Sequence, residues 1–274
     1  MPYKYGHYFV AFTLAITVGG FWASYFTASG PMPLAFHVHA VTAMAWLAFL
    51  LVQSVTIHSR RNALHKTMGQ ASFALFPLLM LGFVAIINLS ASRYHAQESP
   101  FIMELGPAFG IAMVIALAAY LTLFYNALKQ RRNIKLHAGY MLATPLILFE
   151  SPFSRLMEYL FPWMNFIQSG GPRNVLDTIA ISDTLVAVFA LVLYFRDRKH
   201  GAPWLMAAAF VMLQAVVTWF APDMTFLNAP FKAYAQIPGS ITLAAGALAG
   251  IAVTYFGWVA GSRPAAPRAV PEAG

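Results

Sequence analysis

Long apolar runs alternate with short polar or Gly- and Pro-containing breaks along the whole chain. A helix needs about 20 apolar residues to cross a bilayer, and eight runs of that order are present. They predict helices over 8–28, 34–57, 67–89, 104–128, 136–160, 174–195, 203–220 and 238–261. The first closes at Ser29-Gly30-Pro31, a pairing that stops one helix and restarts the chain. Pro77 and Gly82 fall inside the third run, where neighbouring helices can satisfy a freed carbonyl. Residues 90–103, with Arg93, His95, Gln97 and Glu98, are expected to form a polar loop, and 161–173 a second one with Trp, Gly and Pro. Residues 226–236 have the mixed character of a segment lying in the membrane interface.

The expected fold is therefore all-α: a polytopic transmembrane helical bundle of about eight spans, forming a single domain over 1–261. Residues 262–274 are Pro- and Ala-rich and are expected to be a disordered cytoplasmic tail. Composition agrees with this: 59% of residues are hydrophobic and 9% charged, whereas soluble domains carry about a quarter charged residues. A water-soluble fold is excluded.

The net charge of +8 does not indicate a nucleic-acid partner, because the 17 Lys and Arg sit in small clusters between apolar runs. Such clusters orient a membrane protein. With the N-terminus cytoplasmic, 13 of them, from Lys4 to Arg268, fall on one side, and Arg93, Arg155, Arg173 and Lys232 on the other. This bias predicts both termini in the cytoplasm and argues against seven spans. The first run lacks a small-residue cleavage site and reads as a retained helix. With no cysteine, disulfides, thiolate metal sites and covalently attached haem are ruled out.

Arg60-Arg61-Asn62 precedes His65, Arg131-Arg132-Asn133 precedes His137, and Arg196-Asp197-Arg198-Lys199 precedes His200. Two readings stay open: a repeated helix pair, and basic turns that recur because topology demands them.

Polar groups inside the runs are the candidates for chemistry, because ionisable residues within spans face the bundle interior or a water-filled cavity. His37 and His39 lie near the start of the second run and point about 200° apart, so only one can face a given neighbour. His39, Ala43, Trp46 and Gln53 share one helical stripe. Glu150, followed by Pro152, lies deep in the fifth run; Arg155 is five residues on, and Asp183 in the sixth run reaches a similar depth. Depth alone allows His39, Glu150, Arg155 and Asp183 to meet in one pocket, either as a relay or binding site or as a structural ion pair. His65 and His137 head the third and fifth runs. Two imidazoles from different helices can ligate a b-type haem without a covalent motif, although histidines beside Lys and Arg at a membrane surface are also commonly solvated. No zincin, serine-hydrolase, P-loop or dinucleotide motif occurs.

The stretch from His37 to Gly69 resembles a broad group of bacterial multi-span membrane proteins of unassigned function. The matching positions are His39, Trp46, Gln53, Leu64, His65 and Gly69, then His137, Met141, Ala143, Thr144 and Arg155, and finally His200 in YFRDRKHGAPW. Ala138 and Gly139 stand where that group carries positive residues, which argues against an anion site there. The resemblance implies a multi-pass protein of the bacterial inner membrane. A fainter likeness is to di-haem membrane cytochromes b, which need two outer and two inner ligands; the outer set here lacks a second helix.

Three functional expectations follow. The first is a redox protein binding haem b through His39, His65 and His137, with a quinone or other redox partner. The second is a proton-coupled small-molecule transporter with His39, Glu150, Arg155 and Asp183 as the binding and relay residues, in a binding pocket that also includes His37, Trp46 and Gln53. The third is a membrane enzyme with a metal on His39, Glu150 and Asp183, since imidazole and carboxylate suit zinc or iron. No oligomeric state is implied by the sequence.

Overall fold

The computed structural model describes residues 2–262. Among them the chain is all helical, without strands. Helix α1 is Gly6–Gly20, continued by a π-helical turn at Trp22–Phe26; α2 is Leu34–His58, α3 Asn62–Gly69, α4 Ser72–His95 and α5 Pro100–Lys129. Then come α6 Ile134–Leu160, α7 Asn174–Arg196, α8 Ala202–Phe220, α9 Asn228–Tyr234 and α10 Gly239–Ser262. Six helices, α2, α4, α5, α7, α8 and α10, are long and apolar enough to cross a membrane, which makes this a multi-pass membrane protein. Helix α6 has the length but carries Lys135, Glu150, Arg155 and Glu158, and α1 is apolar but only 15 residues long.

Successive long helices run antiparallel, which separates two ends of the bundle. At the basic end, Arg131 meets the end of α10, donating to Trp258 O (2.7 Å) and Ser262 Oγ (2.6 Å), while His58 Nε2 lies 3.2 Å from Pro2 O. At the far end, Arg173 donates to both Asp223 oxygens (3.2 and 2.5 Å), and Tyr234 and Thr242 both donate to Asn88 Oδ1 (2.6 and 3.0 Å).

Three expected boundaries are corrected. The third run does not begin at Thr67: Asn62–Gly69 is a separate short helix, and α4 starts at Ser72, whose hydroxyl donates to Gly69 O at 2.7 Å. The expected loop over 90–103 is mostly helix, because polar side chains do not interrupt a helix that is leaving the apolar layer. α4 runs on to His95, and α5 begins at Pro100 with Ser99 capping the Ile102 amide (3.3 Å); Arg93 and Glu98 pair across the short turn (3.2 Å). The first run breaks at Phe21. The expected interfacial segment contains α9, and of the expected disordered tail all but Ser262 lies outside the described residues.

The core centres on Trp46, which is fully buried among Phe49, Phe76, Tyr120 and Phe124. Its indole donates to Thr144 Oγ1 on α6 at 3.0 Å. Helix α10 packs differently: its buried positions are only Thr242, Gly246, Gly250, Thr254, Gly257 and Gly261. Small residues repeated at helical spacing let backbones approach closely where lipid removes the hydrophobic drive between helices. A methyl on Gly250 would lie 2.7 Å from Pro77 Cα of α4, and one on Gly257 would lie 3.1 Å from Tyr125 O of α5. The opposite face, with Ile241, Leu248, Ile251 and Phe256, is exposed, as suits lipid.

Candidate functional site

Helices α6, α7 and α8 pack against one another around a polar seam. Glu150 lies ten residues before the end of α6 and Asp183 nine residues into the antiparallel α7. At 1.5 Å per residue both sit about 14 Å from the far end. Glu150 is 8% exposed and Asp183 0%, and the two carboxyl groups are close enough to interact electrostatically. Ser154, one turn along α6, reaches Glu150 Oε1 at 3.2 Å, and Gln214 of α8 donates to Oε2 at 3.4 Å. Ser182 donates to the Glu150 backbone carbonyl at 3.4 Å. Among the described residues neither oxygen of Asp183 has a hydrogen-bond partner, and the same holds for the Thr218 hydroxyl, one turn beyond Gln214, and for Asp177 Oδ1. Buried polar groups are nearly always satisfied by protein or water.

Of the four residues that depth allowed to meet, the structure brings Glu150 and Asp183 together and places Arg155 nearby. No ion pair joins Glu150 and Arg155 among the described residues. The guanidinium instead folds back within its own helix, donating to Ser151 O (2.6 Å) and Ser151 Oγ (2.8 Å), and lies over the Phe21 ring (4.7 Å). Hydrogen bonding one turn away is available without bending the helix; reaching Glu150, five residues back, is not. Pro152 distorts α6 here, and its backbone packs directly on Gly20 of α1.

His39 stands elsewhere, against Phe83 of α4 (ring centroids 5.1 Å apart), where a methyl on Gly82 would lie 3.3 Å from His39 Cα. The α2 and α4 backbones approach closely at this point. His37 faces outward and meets Tyr25 Oη at 2.9 Å. His39, Glu150 and Asp183 are not gathered into one cluster: among the described residues no three His, Asp or Glu side chains are grouped so as to hold a metal ion.

Trp46 and Gln53 are both buried, Trp46 at the middle of α2 and Gln53 near its basic end. Gln53, with its amide in the orientation that satisfies both groups, accepts from the Gly69 amide (3.1 Å) and donates to His65 O (3.1 Å). It clasps α3 to α2. His65 Nδ1 lies 3.3 Å from the Gln53 backbone carbonyl and in this orientation also takes the Gln53 side-chain amide, whereas His137 Nδ1 lies 2.8 Å from Ala127 O and can donate there while keeping a lone pair on Nε2. The two rings are within electrostatic range of one another. Burial holds His65 below the usual imidazole range, partly offset by that bond to Gln53. His200 is 3.2 Å from both Asp197 oxygens, and Asp197 also takes Lys135.

Ser154, Ser182, Gln214, Thr218 and Asp177 are the seam residues missed from sequence. A signal existed: Glu150–Ser154, Thr178–Ser182 and Gln214–Thr218 each repeat at four residues on a single helix face. Comparison with known protein families, curated proteins and solved structures finds no match for the chain.

Proposed function

We propose that the protein is a proton-coupled transporter of a small solute, with the Glu150–Asp183 pair as its proton-binding site. The observation that carries this reading is the pair itself: two buried carboxyl groups on neighbouring helices within electrostatic range of each other, with Arg155 acting on Glu150 from nearby but no basic side chain bonded to either among the described residues. Two like charges in a dry interior repel, and binding one proton relieves them. Because the groups sit on different helices, gaining or losing that proton changes how α6 and α7 attract each other, which is the coupling that alternating access needs. The chain spans the bacterial inner membrane eight times in this reading, with α1 and α6 completing the six apolar spans. The basic end faces the cytoplasm, as the distribution of 13 against 4 basic residues favours.

Infrared difference spectroscopy on the reconstituted protein during a pH titration tests this. A protonated-carboxyl band that titrates and disappears in both Glu150→Gln and Asp183→Asn is expected. A spectrum with no such band in the unaltered protein refutes the reading.

A second reading is favoured by the imidazole geometry at the basic end. His137 has its Nδ1 on the Ala127 backbone carbonyl, the outer bonding that metal-ligating histidines use, and the His65 ring lies within electrostatic range of it. They would hold a b-type haem between α3 and α6, and the haem would supply one-electron chemistry to a quinone or other redox partner. A reduced-minus-oxidised visible spectrum of the purified protein decides it, since bound haem gives a band that His137→Ala removes.

A further inference from the structure

We propose that a cleft at the far end is the mouth of a one-sided aqueous path by which protons reach Glu150 and Asp183; this rests on the proton-binding reading above. The cleft has a volume of about 440 Å³ and is lined by Glu158 at the end of α6, Asn165 and Gln168 on the connecting turn, and Asn174 and Thr178 on α7. Thr178 links the cleft to the seam. Ser182 is one turn, about 6 Å, further along the same face, and its hydroxyl is the one bonded to the Glu150 backbone. Ser154 and Thr218 stand one turn toward the far end from Glu150 and Gln214, completing a polar lining on all three helices.

Four of the buried polar atoms without protein partners mark the same route, while His7 Nδ1, His39 Nδ1 and Tyr120 Oη, also unpartnered, lie elsewhere. Asp183 Oδ1 and Oδ2, Thr218 Oγ1 and Asp177 Oδ1 all lie at the level of the carboxyl pair or between it and the far end. Asp177 also anchors the turn that forms the cleft, accepting the Ser169 amide at 2.6 Å. A chain of waters held by two to four polar groups each would satisfy these atoms, and such groups are what a buried water requires. Of the nearby cations, Arg155 hydrogen-bonds Ser151 while its charge still acts on Glu150, and Arg173 is paired with Asp223 and Glu104.

Toward the basic end the same helix faces turn apolar. One turn from Glu150 stand Leu146 and Ile147, one turn from Ser182 and Asp183 stand Val186 and Ala187, and three residues from Gln214 stands Val211, all buried. These five side chains offer no polar group to hold a water. The carboxyl pair is therefore open to the far side and sealed from the basic side in this conformation.

The absence of cysteine from the chain permits a direct test with single-cysteine variants in oriented proteoliposomes. A small charged thiol reagent is applied to one side at a time. Only a hydrated thiol ionises and reacts, so Thr178→Cys and Ser182→Cys are expected to react from the far side at least about tenfold faster than Val186→Cys, and neither from the basic side. An unreactive Ser182→Cys in a protein whose Thr178→Cys does react overturns the path, as does labelling of Ser182→Cys from the basic side. Reactivity in the expected pattern, together with no titrating carboxyl band in the unaltered protein, supports the path and refutes proton binding, so the two claims fail separately.

Discussion

Replacing Gly20 by alanine adds one methyl group far from any charge, yet it presses directly on the helix that carries Glu150. The added Cβ would meet the Pro152 carbonyl oxygen closest of all and lie 2.6 Å from both its Cα and its carbonyl carbon, whereas ordinary contact begins at 3.4 Å. Helices α1 and α6 must therefore separate by at least about 0.8 Å, because the atoms in the way are backbone and cannot rotate aside. Overpacking of this kind costs about 1–3 kcal/mol. Pro152 is two residues from Glu150, so the displacement is transmitted to the carboxyl pair. Thermal unfolding in detergent micelles, followed by tryptophan emission, should show a lower midpoint for Gly20→Ala. The titrating carboxyl band should shift or broaden in the same variant. Gly69→Ala is the control: a methyl there meets nothing within 4 Å, and Ala at such a helical position stabilises by about 0.4–1 kcal/mol. A Gly20→Ala protein that melts with the unaltered one would refute the close α1–α6 contact.

The buried bond from Trp46 to Thr144 (3.0 Å) should give a coupling of about 0.6 kcal/mol in a Trp46→Phe, Thr144→Val double-mutant cycle, the average for interhelical bonds in membranes; zero coupling would show the bond to be idle. Gln53→Leu removes the clasp on α3, and hydrogen exchange should then quicken at 62–69 while the α5 amides stay protected. Hydrogen bonding from Lys135 holds the partly exposed Asp197 carboxyl below the usual carboxylate range. A group depressed in this way stabilises the fold above the ordinary carboxylate range and loses that contribution as pH falls through its lowered value. Acid melts should accordingly loosen the α6–α7 end at low pH, and Lys135→Met should flatten that dependence. Arg131→Ala loses the stack on Trp258 (4.0 Å) and the bonds that end α10, so limited proteolysis should cut near residue 262 faster than in the unaltered chain.

Much of the architecture was legible in the sequence because a membrane helix must satisfy its backbone internally and present apolar side chains to lipid. That constraint writes each run directly into the residue order. Helices α2, α6, α7, α8 and α10 accordingly begin and end within two residues of the expected positions. The matching depths of Glu150 and Asp183 followed from helical rise alone.

What no run length could supply was helix rotation and the choice of partner, since these are set by neighbours rather than by local pattern. Only packing turned His39 toward α4 and His37 outward, and so kept His39 away from the carboxyl pair. Only the geometry of α6 let Arg155 bond back to Ser151 instead of to Glu150. The close approach of α1 to α6 likewise depended on a distant residue, because Gly20 lies directly against the Pro152 backbone. The seam at Ser182 and Gln214 exists because three helices, each with an unremarkable polar residue, were brought to one depth and one axis. Sequence determined which groups the membrane would hold; tertiary structure decided which of them face each other.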